Sequence, residues 1–186
     1  MLFQFKIQLK GITKPPVWRR VLVPSNFTFE RFHDVIQTVF QWEDCHLYLF
    51  SPKGFGSKPL ISIPDDDWPV DYDAGKTKLQ DIFNAEGQTY TYVYDFGDSW
   101  EHLITLETIS PELALKAVCL AGKGACPPED IGGFMMFQHM KDVLANKPNS
   151  EDAKFFRDQY ALLKGETWDE VYEFLIEEIN EDLLEV

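Results

Sequence analysis

TYTYVYDFGDSWEHLITLE, residues 89–107, carries two alternating patterns separated by a compact acidic turn. Tyr90, Tyr92 and Tyr94 alternate with Thr91 and Val93, and beyond the turn Trp100, His102, Ile104 and Leu106 alternate with Glu101, Leu103 and Thr105. A period of two on both arms is the pattern of paired strands whose residues face the two sides of a sheet in turn. The linking Asp95-Phe96-Gly97-Asp98-Ser99 is turn chemistry. Gly97 is free to take a positive φ, and the two carboxylates can accept bonds from nearby backbone N–H groups. The stretch predicts a β-hairpin with polar groups at its tip.

Upstream, Phe3, Phe5, Ile7 and Leu9 alternate with Gln4, Lys6, Gln8 and Lys10, which predicts a strand with one dry and one wet face. Pro15-Pro16 interrupts it and residues 17–23 resume, with Arg19 and Arg20 on opposite faces. Thr28 suits an N-cap for a helix over 29–41, striped by Phe32, Val35, Ile36, Val39 and Phe40, with His33 at its buried edge. Residues 46–50 suit a strand and 60–63 a short edge strand. Asp65, Asp66, Asp67, Asp71 and Asp73 lie in a solvated loop without the spacing of an EF-hand. Thr77 and Gln80 fit a capping box for a short helix before the hairpin.

Downstream of the hairpin, residues 113–120 suit either a helical turn or a further strand. KGACPPEDIGG, residues 123–133, has too many prolines and glycines for regular structure and reads as a stiff loop. Three helices follow: one ended by 146–149, one capped by Ser150, and an acidic amphipathic one opened by a Thr167/Glu170 capping box and running through Leu183. The fold class is α+β: a single domain over 1–186, with a mainly antiparallel or mixed sheet covered by helices and a helical C-terminus.

The formal charge is −14, and nine of the 31 acidic residues follow Lys164 with no basic residue among them. Such a balance repels phosphate backbones, so nucleic acid is not the expected partner. Three cysteines are too few and odd for a disulfide scaffold and suit a reducing, cytoplasmic setting. No apolar run is long enough to cross a bilayer, which excludes a membrane partner from the reading.

Four blocks, PPVWRRVLVP (15–24), FERFHDVIQTVFQWEDCHLYLF (29–50), YVYDFGDSWEHLITLE (92–107) and CLAGKGACPPEDIGG (119–133), occur here in order. Together they resemble the Ri-plasmid open-reading-frame-three-like family, whose members are also described as insertion-element passenger proteins. The resemblance covers most of residues 2–145, leaving about 150–186 as a helical extension. It implies an α+β domain with a link to mobile elements, and it brings no catalytic residue set. Some members bear a resolvase label from their transposon context, but this acidic chain has no basic DNA-binding module to support it. The family often carries a second histidine where this chain has Tyr48, so a metal site that depended on it is incomplete here.

The oxygen, imidazole and thiolate groups fall in two segments. Asp95, Asp98, Glu101 and His102 mark the hairpin, with Trp100 beside them as a binding candidate, and Cys119, Cys126, Glu129 and Asp130 mark the later loop. If the segments meet, a divalent metal could be held, with Asp98, His102, Cys119 and Cys126 as candidate ligands. The bland alternative is turn chemistry for the carboxylates and a cross-strand position for His102. Six residues between the two cysteines also exceed the usual zinc-pair spacing. Ser99 near His102 and Asp95 lacks a nucleophile elbow. Arg19 and Arg20, with the tyrosine row, Trp18 and Trp100, suggest an aromatic and basic recognition surface.

The leading expectation is a non-enzymatic protein- or ligand-binding module with no cofactor, its partner a protein or peptide that the acidic tail suggests is basic. The alternative is a metal-dependent hydrolase or nuclease using 95–102 and 119–130. Proximity of the hairpin tip to 126–133, with His33 or His46 nearby, separates a site from an ordinary turn.

Overall fold

Residues 1–66 and 68–186 are described by a computed structural model; Asp67, counted above in the acidic loop, lies outside the described residues. The alternation at the N-terminus becomes β1 (Leu2–Thr13), with Phe3, Phe5, Ile7 and Leu9 buried. It pairs antiparallel with β2 (Pro16–Pro24) on one side and with β7 (Trp100–Ser110) on the other. β6 (Thr89–Tyr94) and β7 form the predicted hairpin, with Tyr92 opposite His102 and Tyr94 opposite Trp100.

β3 (Tyr48–Ser51), β4 (Ile61–Ser62), β5 (Tyr72–Asp73) and β8 (Val118–Lys123) complete a mixed eight-stranded sheet in the order β5-β4-β3-β6-β7-β1-β2-β8. Every neighbour pair is antiparallel except β4 with β5. The 113–120 segment resolves as a strand only from Val118. Leu113 and Leu115 stay exposed, so their hydrophobicity did not report burial.

Helix α1 (Phe29–Phe40) is capped by the Thr28 side chain, which accepts from Arg31 N–H as expected. Its apolar stripe lies on the sheet, Phe32 against Phe5 and Phe50, and Phe29 against Phe50 and Phe83. The opposite face around β1, β2 and β7 is polar: Arg20 pairs with Glu107, Gln4 donates to Glu107, and Lys10 pairs with Glu101. One dry face and one wet face account for the period of two in these strands.

The short α2 (Leu79–Ile82) starts one residue later than the Thr77/Gln80 box predicted: Lys78 is the N-cap, and its N–H donates to Asp81. α3 (Gly133–Asn146) and α4 (Glu151–Gln159) follow, with the Ser150 hydroxyl capping α4 through Ala153 N–H. The expected single acidic helix is two: α5 (Trp168–Val171), opened by the predicted Thr167/Glu170 box, and α6 (Ile176–Asp182). The break lets Phe174 reach back over Gly122 of β8 to Arg19 of β2, whose guanidinium lies 4.3 Å from its ring. A Cβ at Gly122 would come within 2.6 Å of the Phe174 ring, so this close approach needs glycine.

Ala153, Phe156, Trp168, Ile179 and Leu183 join the same hydrophobic cluster as the sheet and α1. No helix among the described residues is long and apolar enough to cross a membrane.

Candidate functional site

Helix α1 ends at Gln41, whose left-handed backbone turns the chain through 42–46 toward β3. That turn is tied to the helix by a closed ring of hydrogen bonds. Asp44 N–H donates to Gln37 Oε1 (3.1 Å), Gln37 Nε2 donates to the Tyr92 hydroxyl (2.9 Å), and Tyr92 lies 2.7 Å from His33 Nδ1. His33 Nε2 lies 2.7 Å from Asp44 Oδ1 and closes the circuit. Because Gln37 must present its oxygen to Asp44 N–H, its amine faces Tyr92. The phenol then donates to Nδ1, and the neutral imidazole donates from Nε2 to the carboxylate. Burial lowers the His33 pKa, opposed by Asp44. Tyr48 stacks on the ring at 3.7 Å and fixes its plane.

At the hairpin tip the positive φ values fall on Asp95 (53°) and Ser99 (56°), not on Gly97 as expected. A short carboxylate tolerates this backbone because its Oδ1 accepts Gly97 N–H at 2.9 Å, while Ser99 N–H donates to Asp95 O. Asp98 reaches across to the 126–133 loop and accepts Gly132 N–H at 3.0 Å. A Cβ on Gly133 would meet Asp98 O at 2.8 Å, so the tip and the loop touch at a position only glycine fits comfortably.

The loop is also fastened to the turn after α1. Trp42 Nε1 donates to Pro127 O, and Glu129 Oε1 accepts from Glu43 N–H (2.9 Å) and from the Tyr94 hydroxyl (3.1 Å). Tyr94 in turn accepts Cys45 N–H at 3.0 Å.

Three carboxylates therefore converge on one imidazole. His46 Nε2 lies 3.1 Å from Asp130 Oδ1, 3.8 Å from Asp95 Oδ2 and 3.9 Å from Glu129 Oε2. None of these approaches has hydrogen-bond geometry, and His46 Nε2 and Glu129 Oε2 are both buried without a partner. The Asp95 side chain is 8% exposed, whereas Asp130 opens to solvent.

Two clefts flank the cluster. One of about 350 Å³ runs past Glu43, Glu129, Pro127, Pro128, Trp168 and Tyr172. The other, of about 240 Å³, runs past Asp130, Met136 and Phe155, and Tyr160 borders both.

Asp95, Glu129 and Asp130 are thus brought together and Asp98 secures them, but the remaining candidates lie elsewhere. Trp100 is buried beside Trp42. His102 is fully buried rather than half-buried; its Nδ1 donates to Trp100 O, and burial pushes its pKa down to about 3. Arg19, expected at a binding surface, points into the interior. It donates to the carbonyls of Val39, Trp18, Lys123 and Gly124 at 2.7 to 3.1 Å and packs against Phe40. Arg20 is on the wet face with Glu107. Tyr90, Tyr92 and Tyr94 are core residues, which leaves Trp18 alone of the proposed aromatic surface outside the core.

Cys119 and Cys126 lie near Arg19, and burial raises both thiol pKa values. Among the described residues, the groups able to offer three metal-ligand atoms are His33–Asp34–Asp44 and His46–Asp95–Asp130. Asp98, His102, Cys119 and Cys126, the ligands expected from sequence, belong to neither, because the strands and loop that carry them aim them elsewhere. From sequence, His46 is a neighbour that would turn the tip into a site, whereas Tyr94 reads only as part of the tyrosine row. What brings both to the tip is the register of β3 on β6, Tyr48 opposite Tyr94, which sets His46 beside the hairpin tip.

The family model described as plasmid pRiA4b ORF-3-like protein matches residues 1–173. An uncharacterized protein, y4hQ of Sinorhizobium fredii, is 34% identical over 156 residues, covering 81% of this chain and 77% of that protein. The crystal structure of a protein of unknown function, MM3350 from Methanosarcina mazei Go1, superposes with a TM-score of 0.72 at 33% identity, covering 85% of this chain and 88% of that one.

Proposed function

The chain belongs to the plasmid pRiA4b ORF-3-like family, and from that footing we propose that it is a non-enzymatic interaction module whose partner presents a basic segment. The observation that carries this reading is the larger cleft. Its walls are Trp42, Pro127, Pro128, Trp168 and Tyr172, and two carboxylates, Glu43 and Glu129, stand on the same lining. A lysine or arginine side chain meets both needs of such a groove, with its methylene stem on the aromatic and proline surface and its charged head at the carboxylates. The formal charge of −14 would draw such a partner in from a distance. The free thiols, including the exposed Cys45, fit a reducing compartment, and the cytoplasm is the proposed location.

The test is a fluorescence titration that follows Trp42 and Trp168 with short arginine-bearing apolar peptides, set against counterparts in which glutamine replaces arginine. Saturable binding of the basic peptides alone, weakened by salt and by Glu43→Gln, is the expected result. Equal response to both sets, or none at low salt, would overturn the reading.

A further inference from the structure

We propose that His46, Asp95 and Asp130, with Glu129 beside them, form a binding site for one divalent transition-metal ion, at the junction of the turn after α1, the hairpin tip and the 126–133 loop.

The first ground is spacing. Ligand atoms held about 2.1 Å from an ion at tetrahedral or octahedral angles lie roughly 3.0–3.5 Å from one another. His46 Nε2 stands 3.1 Å from Asp130 Oδ1 and 3.8 Å from Asp95 Oδ2, and the ligand atoms of these three residues all lie within 4.8 Å of one another, close enough for one ion to draw them together, with Glu129 Oε2 at the edge of the group 3.9 Å from Nε2.

The second ground is what the groups lack. A simple ion pair between a protonated His46 and Asp130 would aim the N–H at an oxygen. Here Nε2 is buried and bonded to nothing, and so is Glu129 Oε2. Asp95, its side chain 8% exposed, commits Oδ1 to Gly97 N–H, while Oδ2 faces His46 Nε2 without a hydrogen bond. Unmet buried polar atoms are costly, and three converging carboxylates repel one another. A single cation answers the unmet atoms and the repulsion together.

The third ground is preorganisation by bonds that leave the ligand atoms free. Glu129 is held through Oε1 by Glu43 N–H and Tyr94, and Asp95 is held through Oδ1. The backbone before His46 is held by the Asp44 ring, and the loop by Asp98 and Trp42. Support of this kind is what keeps metal ligands oriented.

The donor set names the class of ion. Imidazole nitrogen with carboxylate oxygens suits Mn²⁺, Fe²⁺, Ni²⁺ or Zn²⁺, whereas Mg²⁺ and Ca²⁺ sites are built from oxygen alone. Asp130 is 77% exposed, so the solvent side can leave coordination positions open. The second group, His33–Asp34–Asp44, is a poorer candidate because His33 Nε2 already serves Asp44 within the hydrogen-bond ring.

The experiment uses the full chain, freed of any metal-binding tag and treated with a chelator, then titrated calorimetrically with Zn²⁺, Mn²⁺, Mg²⁺ and Ca²⁺ in turn. One Zn²⁺ or Mn²⁺ per chain is expected. His46→Gln and Asp95→Asn should each weaken it at least tenfold while the metal-free circular dichroism spectrum stays that of the parent. Asp34→Asn, in the other group, and His139→Gln, on the surface of α3, should leave affinity unchanged. Absence of saturable binding by either transition ion, binding confined to Mg²⁺ or Ca²⁺, or unaltered affinity in His46→Gln and Asp95→Asn would each overturn the assignment.

Discussion

His33 Nε2 stands 2.7 Å from Asp44 Oδ1, and that bond closes a circuit that leaves Asp44 by its own N–H and returns to its own carboxylate. A ring of this kind ties a surface turn to a helix and to the centre of the sheet. Its members come from α1, the turn and β6, so none of these can shift without breaking one of its bonds, of which the two at Tyr92 are buried.

Tyr92→Phe tests the ring. The phenol is fully buried and serves both Gln37 and His33, so its removal leaves two polar groups short of a partner. We expect a loss of about 1–3 kcal/mol in urea unfolding. Faster amide exchange over residues 42–46 should accompany it, and unchanged exchange there would show that the ring does not hold the turn.

Arg19 is a cation in the interior whose guanidinium nitrogens donate to four carbonyls. Burial lowers its pKa, yet a guanidinium remains charged where an ammonium would shed its proton. Arg19→Lys keeps the charge class but cannot span Val39 O and Gly124 O at once. We expect it to cost about 1.5–3 kcal/mol, read by chemical denaturation, with Arg20→Lys on the wet face costing under about 1 kcal/mol.

The contrast between these neighbouring arginines shows what was legible in the sequence. Alternation put them on opposite faces, but which face was dry depended on where α1 came to rest. The hairpin, β1 and α1 were readable because their periods are written within each segment. The break between α5 and α6 was not, since it answers to Gly122, far away on β8. At the site, Asp95, Glu129 and Asp130 stood out as oxygen donors in turn-forming stretches. Cys119, Cys126 and His102 were chosen by residue type, which carries no information about where a strand will point them. His46 joined the carboxylates only through strand pairing, a relationship between segments that no local pattern records.

His102 gives a pH prediction with a definite sign. Burial pushes its folded pKa down to about 3, while an unfolded histidine titrates near 6.5. Below pH 6.5 the unfolded chain binds a proton that the folded chain refuses, so stability falls as the pH drops from about 6.5 toward 3. One such proton corresponds to a slope of about 1.4 kcal/mol per pH unit. Urea midpoints at pH 7, 6, 5 and 4 should show this acid-side loss, and His102→Gln should flatten it by about that slope. A variant with the parent's full pH dependence would remove His102 as its source.

Gly133→Ala probes the junction itself. Gly133 has φ +76°, and an added Cβ would stand 2.8 Å from Asp98 O, so the substitution strains the backbone and pushes against the hairpin tip. Gly132 N–H, one residue earlier, donates to Asp98, and Asp130 lies two residues before that. A shift here therefore loosens the loop that carries Glu129 and Asp130 while leaving β1, β2 and α1 in place. We expect a cost above about 1 kcal/mol in unfolding, together with faster amide exchange over 95–99 and 129–132. Asp98→Asn, which keeps an acceptor oxygen for Gly132 N–H, should cost less than Gly133→Ala in both measurements. If the two variants matched, the negative charge of Asp98 rather than the close backbone approach would be what joins the tip to the loop.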